Sequence, residues 1–243
     1  MKVSYIIATK DRSELLKETL QAFQKQTNSN FEVIIVDDHG VDDTKSMVTN
    51  FKDERFRYYR LSDDFGSRIG CARNFGNLVA KGEIRSVCDS DDLPFPERTD
   101  LTIKAFTGDP TVDLIYGKLL LWDPLTDSTR DRKTAYEPCS LARLQELNFI
   151  PNSASAYKKQ IAFDFPYNSS FRVAEDYEFF LRVLKSGKKV QYINQYLTKA
   201  RMHEGSESTA KDKMIAYELL NKYYHGTGKY DEQIINQILI LAK

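Results

Sequence analysis

The chain has 243 residues, and its 35 Lys and Arg balance its 35 Asp and Glu, so the formal net charge is zero at neutral pH. No net field favours nucleic acid, an anionic membrane surface or an acidic polymer, and any phosphate site must therefore be built locally. The apolar content of 41% is enough to bury one sizeable core.

The three cysteines form no CxxC pair, which indicates a reducing compartment rather than a disulfide framework. The first apolar run, residues 3–8, is too short for a signal-peptide core, and no stretch approaches the roughly 20 apolar residues of a membrane span. We therefore predict a cytoplasmic protein that a partner holds, at most, at the inner face of a membrane.

The first ninety residues alternate short apolar runs with segments of helical periodicity. The predicted strands span residues 3–8, 31–36, 57–61 and 84–88. The predicted helices span residues 12–26, 45–51 and 70–81. Short strands that are apolar on both faces, alternating with helices, are typical of the α/β class, with a mostly parallel sheet covered by helices.

The rest of the chain continues the alternation less regularly. Its predicted helices span residues 97–106, 139–148 and 176–186, and its predicted strands span residues 114–122, 153–157 and 189–193. Residues 123–136 are polar and predict an exposed loop that is a candidate lid. Residues 211–243 predict two amphipathic helices, whose apolar stripe favours core or dimer packing over membrane contact.

Acidic residues follow two of the predicted strands. Asp37 and Asp38 end the second strand, and Asp89, Asp91 and Asp92 follow the fourth. In parallel α/β sheets, ligands bind outside the carboxyl ends of the strands, so two strands deliver carboxylates to one rim. Alternating carboxylates suit Mg²⁺ or Mn²⁺ together with diphosphate oxygens, although an isolated DxD is more often a solvated turn.

Several segments in this order resemble the family 2 glycosyltransferases. They are VSYIIATKDR at 3–12, VIIVDD at 33–38, ARNFG at 72–76, AKGE at 80–83, DSDD at 89–92, ED at 175–176 and ARMHEGS at 200–206. The resemblance covers the chain to nearly residue 209 and leaves the last helices outside it.

This resemblance implies a GT-A fold and inversion at the anomeric carbon. A Rossmann-like nucleotide-binding half would span about residues 1–98, an acceptor half about 99–209, and a C-terminal helical extension 210–243. The donor would be a nucleotide diphosphate sugar, with UDP favoured. The acceptor would be a glycan or a lipid-linked saccharide in bacterial cell-surface glycan biosynthesis, and the protein is a possible homodimer through its C-terminal helices.

The resemblance also assigns roles to residues on the donor side. Thr9 and Asp38 would hold the nucleoside, with Asp37 as a weaker candidate, because a carboxylate accepts hydrogen bonds from uracil N–H or ribose hydroxyls. Arg73 would lie beside the base or the phosphates, unless it only pairs with an acid on a helix surface. Asp89 would approach the ribose or the donor sugar.

The metal and the catalytic base follow from the same resemblance. Asp91 and His203 would hold Mn²⁺ or Mg²⁺, and Asp176 would be the base, with Glu175 as a supporting or acceptor-contacting group. An acidic pair at a helix start is also ordinary capping, and His203 is otherwise a surface histidine. His39 replaces a Gly of the usual acid-pair segment, which leaves the nucleobase preference open.

Two other functions compete with this interpretation. A sugar-1-phosphate nucleotidyltransferase would make the nucleotide sugar, but no Gly-rich phosphate signature follows the first strand. A non-catalytic sugar-nucleotide binding module would bind the donor without transfer. Exposed aromatic residues such as Tyr136 or Tyr167 are candidates for stacking on sugar rings of the acceptor.

Overall fold

The computed structural model describes residues 1–132, 139–171 and 173–202. Strands and helices alternate along these ranges. The strands are β1 (Val3–Thr9), β2 (Phe31–Asp37), β3 (Phe56–Arg60), β4 (Ile84–Val87), β5 (Leu93–Pro94), β6 (Leu114–Asp123), β7 (Ser128–Asp131), β8 (Ser155–Lys158) and β9 (Val190–Arg201). The helices are α1 (Ser13–Gln24), α2 (Thr44–Asn50), α3 (Ile69–Val79), α4 (Arg98–Gly108), α5 (Leu141–Glu146), α6 (Lys159–Asp164) and α7 (Glu175–Lys185).

One sheet runs through the described residues in the order β3-β2-β1-β4-β8-β6-β9-β5, with β7 paired to β6. The pairs β3-β2, β2-β1 and β1-β4 are parallel, as predicted for the first ninety residues. Beyond β4 the sheet is mixed, because β8 is antiparallel to both β4 and β6, whereas β6 and β9 are parallel. The predicted α/β class is confirmed.

The parallel part of the sheet is buried on both faces, as its continuous apolar strands require. Tyr5 and Ile7 pack under α1, and Ile6 packs under α3. Gly76 allows α3 to approach the sheet closely, since a Cβ atom at this position would lie 2.5 Å from Cγ2 of Ile6. This close packing fixes α3, and with it Arg73, over strands β1 and β2.

The second part of the chain adds strand β5 and helix α6, which were not predicted, and it differs from the prediction around β7 and β9. The predicted loop over 123–136 contains β7, which forms an exposed antiparallel hairpin with β6. The predicted strand over 189–193 continues to Arg201, with register shifts at Gly117–Lys118 and Lys118–Leu119 of β6 that let the pairing persist. This extension brings Thr198 and Lys199 alongside β5, and it brings Arg201 next to the acidic turn after β4.

The predicted C-terminal helices, and with them the dimer, lie outside the described residues, as do His203 and Tyr136. The proposed division into halves at about residue 98 also stays a prediction. Among the helices of the described ranges, none is both long and apolar enough to cross a membrane.

Candidate active site

The carboxyl ends of β1, β2 and β4 meet at one edge of the sheet. Thr9 lies opposite Asp37 in the parallel register of β1 and β2. The main-chain N–H of Asp38 donates to the carbonyl oxygen of Thr9 at 2.8 Å, which ties the two strand ends together. Strand β4 pairs with the other side of β1 and delivers Asp89 to the same edge. The predicted convergence of acids from two strands on one rim is therefore present.

Asp37 is occupied by groups of its own turn and of the adjacent strand β3. Its Oδ1 accepts the main-chain N–H of Gly40 at 2.7 Å, and its Oδ2 accepts the hydroxyl of Tyr58 at 2.7 Å. Arg60 adds an ion pair at 3.7 Å. Burial, together with the hydrogen bond to the Asp37 carboxylate, raises the pKa of Tyr58 to about 12. Asp37 is 3% exposed, and these contacts give it the role of shaping the turn after β2.

Asp38 is held from two sides. Its Oδ1 lies 3.0 Å from Nδ1 of His39, and its Oδ2 accepts the hydroxyl of Ser67 at 3.1 Å. His39 has a φ of 63°, in the left-handed region that favours glycine, so the imidazole sits at a strained turn position. The buried hydroxyl of Thr9 has no hydrogen-bond partner among the described residues. The nucleoside contacts predicted for Thr9 and Asp38 stay predictions.

The turn after β4 concentrates negative charge. Asp89 is the most accessible of its carboxylates, with 39% of the side chain exposed, whereas the Asp91 side chain is 12% exposed and Asp92 is buried. Burial, and then the charges of Asp89 and Asp91, raise the pKa of Asp92 well above its usual value. The main-chain N–H of Arg201 donates to Asp92 at 3.2 Å, so the end of β9 braces this turn.

Arg73 joins the acidic turn to the start of α7. Its guanidinium pairs with Asp89 at 3.1 Å and donates to Oε1 of Glu175, which lies 102 residues away in the sequence. The guanidinium also lies over the ring of Tyr167 at 5.4 Å. Burial alone would lower the pKa of Arg73, but the carboxylates of Glu175 and Asp89 outweigh it and raise the pKa. Arg73 is 3% exposed, and the structure shows that it links Asp89 to Glu175. Its contact with the base or the phosphates of the donor stays a prediction.

Helix α7 presents the predicted acid pair at its first turn. Ala174, directly before the helix, adopts the left-handed conformation with φ 63°, which sets the direction in which α7 begins. Glu175 is buried against Arg73, whereas Asp176 is partly exposed and accepts the main-chain N–H of Tyr177 at 2.8 Å. The two acids are therefore differently placed: one is locked in an ion pair, and the other is accessible for chemistry.

Divalent cations fit the oxygen donors of the acidic turn. Among the described residues, no group of three or more His, Cys, Asp or Glu side chains is arranged to hold a metal ion by itself, and His203 lies outside those residues. Mg²⁺ is commonly held by one or two carboxylates together with substrate phosphates and water. Burial is the main cause of the raised pKa of Asp92, and the neighbouring charges of Asp89 and Asp91 add to it; a cation would offset the repulsion among these acids. The turn thus suits a cation shared with a diphosphate.

Sequence reasoning missed the cations that face this turn. Arg12 pairs with Oδ2 of Asp91 at 3.0 Å, although the two residues lie 79 positions apart. Its place in the first motif was the only available signal.

The prediction that Tyr167 is exposed is wrong, because this residue is 2% exposed and its ring stacks on Phe179 at 4.8 Å. Tyr167 packs the core behind Arg73.

Residues 4–174 match the sequence profile of glycosyl transferase family 2. The chain belongs to this family. It is 29% identical over 124 residues to validoxylamine A glucosyltransferase of Streptomyces hygroscopicus subsp. jinggangensis, a match that covers 50% of this chain and 29% of that protein. It is 34% identical over 93 residues to the Campylobacter jejuni GalNAc(5)-diNAcBac-PP-undecaprenol beta-1,3-glucosyltransferase, covering 37% of this chain and 30% of that protein. These matches span less than a third of either relative.

Solved structures share the fold. S. aureus TarS 1–349 in complex with UDP superposes with a TM-score of 0.73 at 21% identity, covering 98% of this chain and 70% of that one. The mannosyltransferase PcManGT from Pyrobaculum calidifontis, in complex with GDP-Man and Mn²⁺, superposes with a TM-score of 0.68 at 16% identity, covering 99% and 68%. These likenesses confirm the predicted GT-A fold, and the family match identifies residues 4–174 as a glycosyl transferase family 2 domain.

Proposed function

We propose that this glycosyltransferase moves a sugar from a nucleotide diphosphate donor, with UDP as the favoured nucleotide, onto an acceptor hydroxyl with inversion at the anomeric carbon. The observation that carries the proposal is the position of Arg73 between Asp89 and Glu175. Through this one guanidinium, the acidic turn after β4 and the acid pair of α7 lie next to each other. The groups proposed to stabilise the leaving diphosphate are therefore adjacent to the group proposed to accept the proton of the acceptor hydroxyl.

On the donor side, we assign the nucleoside to the edge formed by Thr9 and Asp38. The hydroxyl of Thr9, which has no partner among the described residues, and the braced carboxylate of Asp38 supply a donor and an acceptor for ribose or base. Asp89, the most accessible acid of its turn, would contact the ribose or the donor sugar. Arg73, which is buried and pairs with Asp89, would hold the Asp89 carboxylate in position for this contact. Residues 1–98 are accordingly proposed as the nucleotide-binding half and 99–209 as the acceptor half.

On the acceptor side, Asp176 is proposed to take the proton of the attacking hydroxyl. It is the accessible member of the acid pair, and the N-terminus of α7 favours a negative charge at that position. Glu175 supports it by fixing the first turn of α7 to Arg73. A single displacement on the face opposite the leaving diphosphate inverts the anomeric centre.

Asp91, with His203 as the second predicted ligand, would hold Mn²⁺ or Mg²⁺. When bound, such a cation neutralises the negative charge that develops on the leaving diphosphate. The chain itself keeps Asp91 in place through Arg12 and through Arg201, whose Nε donates to the Asp91 carbonyl at 3.2 Å.

The related proteins support the choice of substrates. One structural neighbour is a complex of TarS with UDP-GlcNAc, and another is the complex of PcManGT with GDP-Man and Mn²⁺. The Campylobacter relative is named for an undecaprenol-linked saccharide, which favours a glycan or lipid-linked acceptor and a role in cell-surface glycan biosynthesis. All three cysteines are free thiols, as in reducing compartments, which favours the cytoplasm.

A panel of nucleotide sugars tests the proposal. Thermal shift and nucleoside diphosphate release are measured with Mn²⁺, Mg²⁺ or EDTA, in the absence of acceptor. We expect one UDP-sugar to stabilise the protein and to release UDP slowly in a metal-dependent way. Stabilisation without any release, even after candidate acceptors are added, would indicate a binding module instead. Pyrophosphate release from a nucleoside triphosphate and a sugar-1-phosphate would indicate a nucleotidyltransferase.

A further inference from the structure

Arg12 occupies the carboxylate that the proposed function gives to a divalent cation. Its guanidinium lies 3.0 Å from Oδ2 of Asp91. The Asp91 side chain is 12% exposed, whereas the Arg12 side chain is 34% exposed. The carboxylate is therefore held in place by its surroundings, and the arginine retains room to move.

The main chain around Arg12 is fastened on both sides. Oδ1 of Asp11 accepts the N–H of Val41 at 2.6 Å, which ties the β1–α1 turn to the turn after β2. On the other side, the N–H of Ser13 donates to Asp42 at 2.8 Å. Any movement of Arg12 is consequently confined to its side chain, which can leave Asp91 without a change in the fold.

A second arginine braces the same turn in a different way. Arg201 donates from Nε to the main-chain oxygen of Asp91 and pairs through its guanidinium with Glu18. Its main-chain N–H also donates to Asp92. Arg201 thus fixes the backbone of the turn, so Asp91 keeps its position when Arg12 leaves.

We propose that Arg12 is an exchangeable counter-ion, which neutralises Asp91 in the donor-free enzyme and moves to the diphosphate of the donor when a divalent cation binds at Asp91. Two cations that share one carboxylate repel each other, and this repulsion disfavours metal binding while Arg12 remains. Guanidinium groups pair strongly with phosphate oxygens, so the donor offers Arg12 a new partner. Arg12 would thereby couple metal binding to donor binding. This inference rests on the proposed function.

The test is the affinity for Mn²⁺, measured by electron paramagnetic resonance of the free ion, without nucleotide and with saturating UDP. Arg12→Gln should bind Mn²⁺ about tenfold more tightly than wild type without nucleotide, because the competing cation is gone. With saturating Mn²⁺, the same variant should bind UDP about tenfold more weakly, because a charge-assisted contact is lost. UDP should therefore strengthen Mn²⁺ binding much less in Arg12→Gln than in wild type.

Three further variants make each outcome decisive. Arg12→Lys keeps the positive charge, and its affinities for Mn²⁺ and UDP should lie between those of wild type and Arg12→Gln. Such a graded response would not be expected if the Arg12→Gln effects came from misfolding. Lys17→Gln removes an exposed cation of α1 that pairs with Glu14, and it should leave both affinities unchanged. If Asp91→Asn loses Mn²⁺ binding but Arg12→Gln matches wild type, the exchange is wrong and the proposed function stands. If Asp91→Asn binds Mn²⁺ like wild type, the metal assignment itself fails, and the exchange fails with it.

Discussion

Two acidic turns lie at the same edge of the sheet and use their carboxylates differently. In the turn after β2, Asp37 accepts hydrogen bonds from Gly40 of the same turn and from Tyr58 of the adjacent strand β3, which also supplies Arg60. In the turn after β4, Asp89 and Asp91 meet arginines from other elements, Arg73 of α3 and Arg12 before α1. Contacts within the turn and with the neighbouring strand shape the first turn, whereas we propose that bound ligands redistribute the charge of the second. Acidic residues at the ends of neighbouring strands therefore need not have the same function.

The largest effect should come from the acid pair that Arg73 ties to the second turn. Asp176→Asn should lower turnover by about 10² to 10⁴, the usual size of a general-base contribution, with UDP binding and the unfolding midpoint retained. The measurement is the initial rate of UDP release with donor and acceptor. Asp164→Asn, an exposed carboxylate-to-amide change on α6, is the matched control. Turnover within threefold of wild type in Asp176→Asn would remove Asp176 as the base.

The next largest effect should follow from breaking the link itself. Arg73→Met leaves Glu175 buried without its cation and should lower the free energy of unfolding by about 3–5 kcal/mol. The double variant Arg73→Met/Glu175→Met should recover most of that loss, because an apolar pair replaces the buried ions. Urea unfolding of both variants measures this. If the free energy of unfolding of Arg73→Met were within about 1 kcal/mol of wild type, the Arg73–Glu175 pair would not be what holds α7 to the turn after β4.

The first turn should show its structural role as a smaller, pH-dependent effect. Tyr58→Phe should lower the free energy of unfolding at pH 7 by about 1.5 kcal/mol, the size of a hydrogen bond to a charged group. The pKa of Tyr58 is raised from 10.0 to about 12 in the folded protein, first by burial and then by Asp37. The contribution is thus fully present below pH 10 and is lost as the pH rises through about 12. A difference between the two proteins that does not shrink over this range would contradict the assignment.

The smallest expected effect concerns the strained position beside Asp38. His39→Ala loses the contact with Asp38 and keeps the left-handed backbone, whereas His39→Gly loses the contact and relieves the strain. The Gly variant should therefore be more stable than the Ala variant by about 1 kcal/mol or less. Thermal unfolding of the two variants gives this difference directly. Equal stability would mean that the turn carries no backbone strain at His39.

Prediction from the sequence worked best where local pattern is decisive. Strands β1, β2 and β4 are found within one residue of their predicted ends, because strands buried on both faces read as continuous apolar runs. Strand β7 was missed because its residues are all polar and exposed. The far half of β9 was missed for a similar reason, since it begins with the exposed residues 194 and 195.

The candidate site shows the same limit. Acids at strand ends converge because parallel strands end at one edge, so their meeting was predictable from chain order. The pairs Arg12–Asp91 and Arg73–Glu175 span 79 and 102 residues, and no periodicity specifies such partners. The family motifs named Arg73 and Glu175 separately and did not reveal that they bind each other.

We propose that the turn after β4, and not the turn after β2, binds the diphosphate and its cation. The most direct measurement is a crystal structure with UDP and Mn²⁺, with an anomalous difference map that locates manganese. We expect one manganese peak coordinated by Asp91, with the nucleoside against Thr9 and Asp38 and with Arg12 turned from Asp91 to the diphosphate. Manganese at Asp37, or UDP bound away from Asp89 and Asp91, would contradict it.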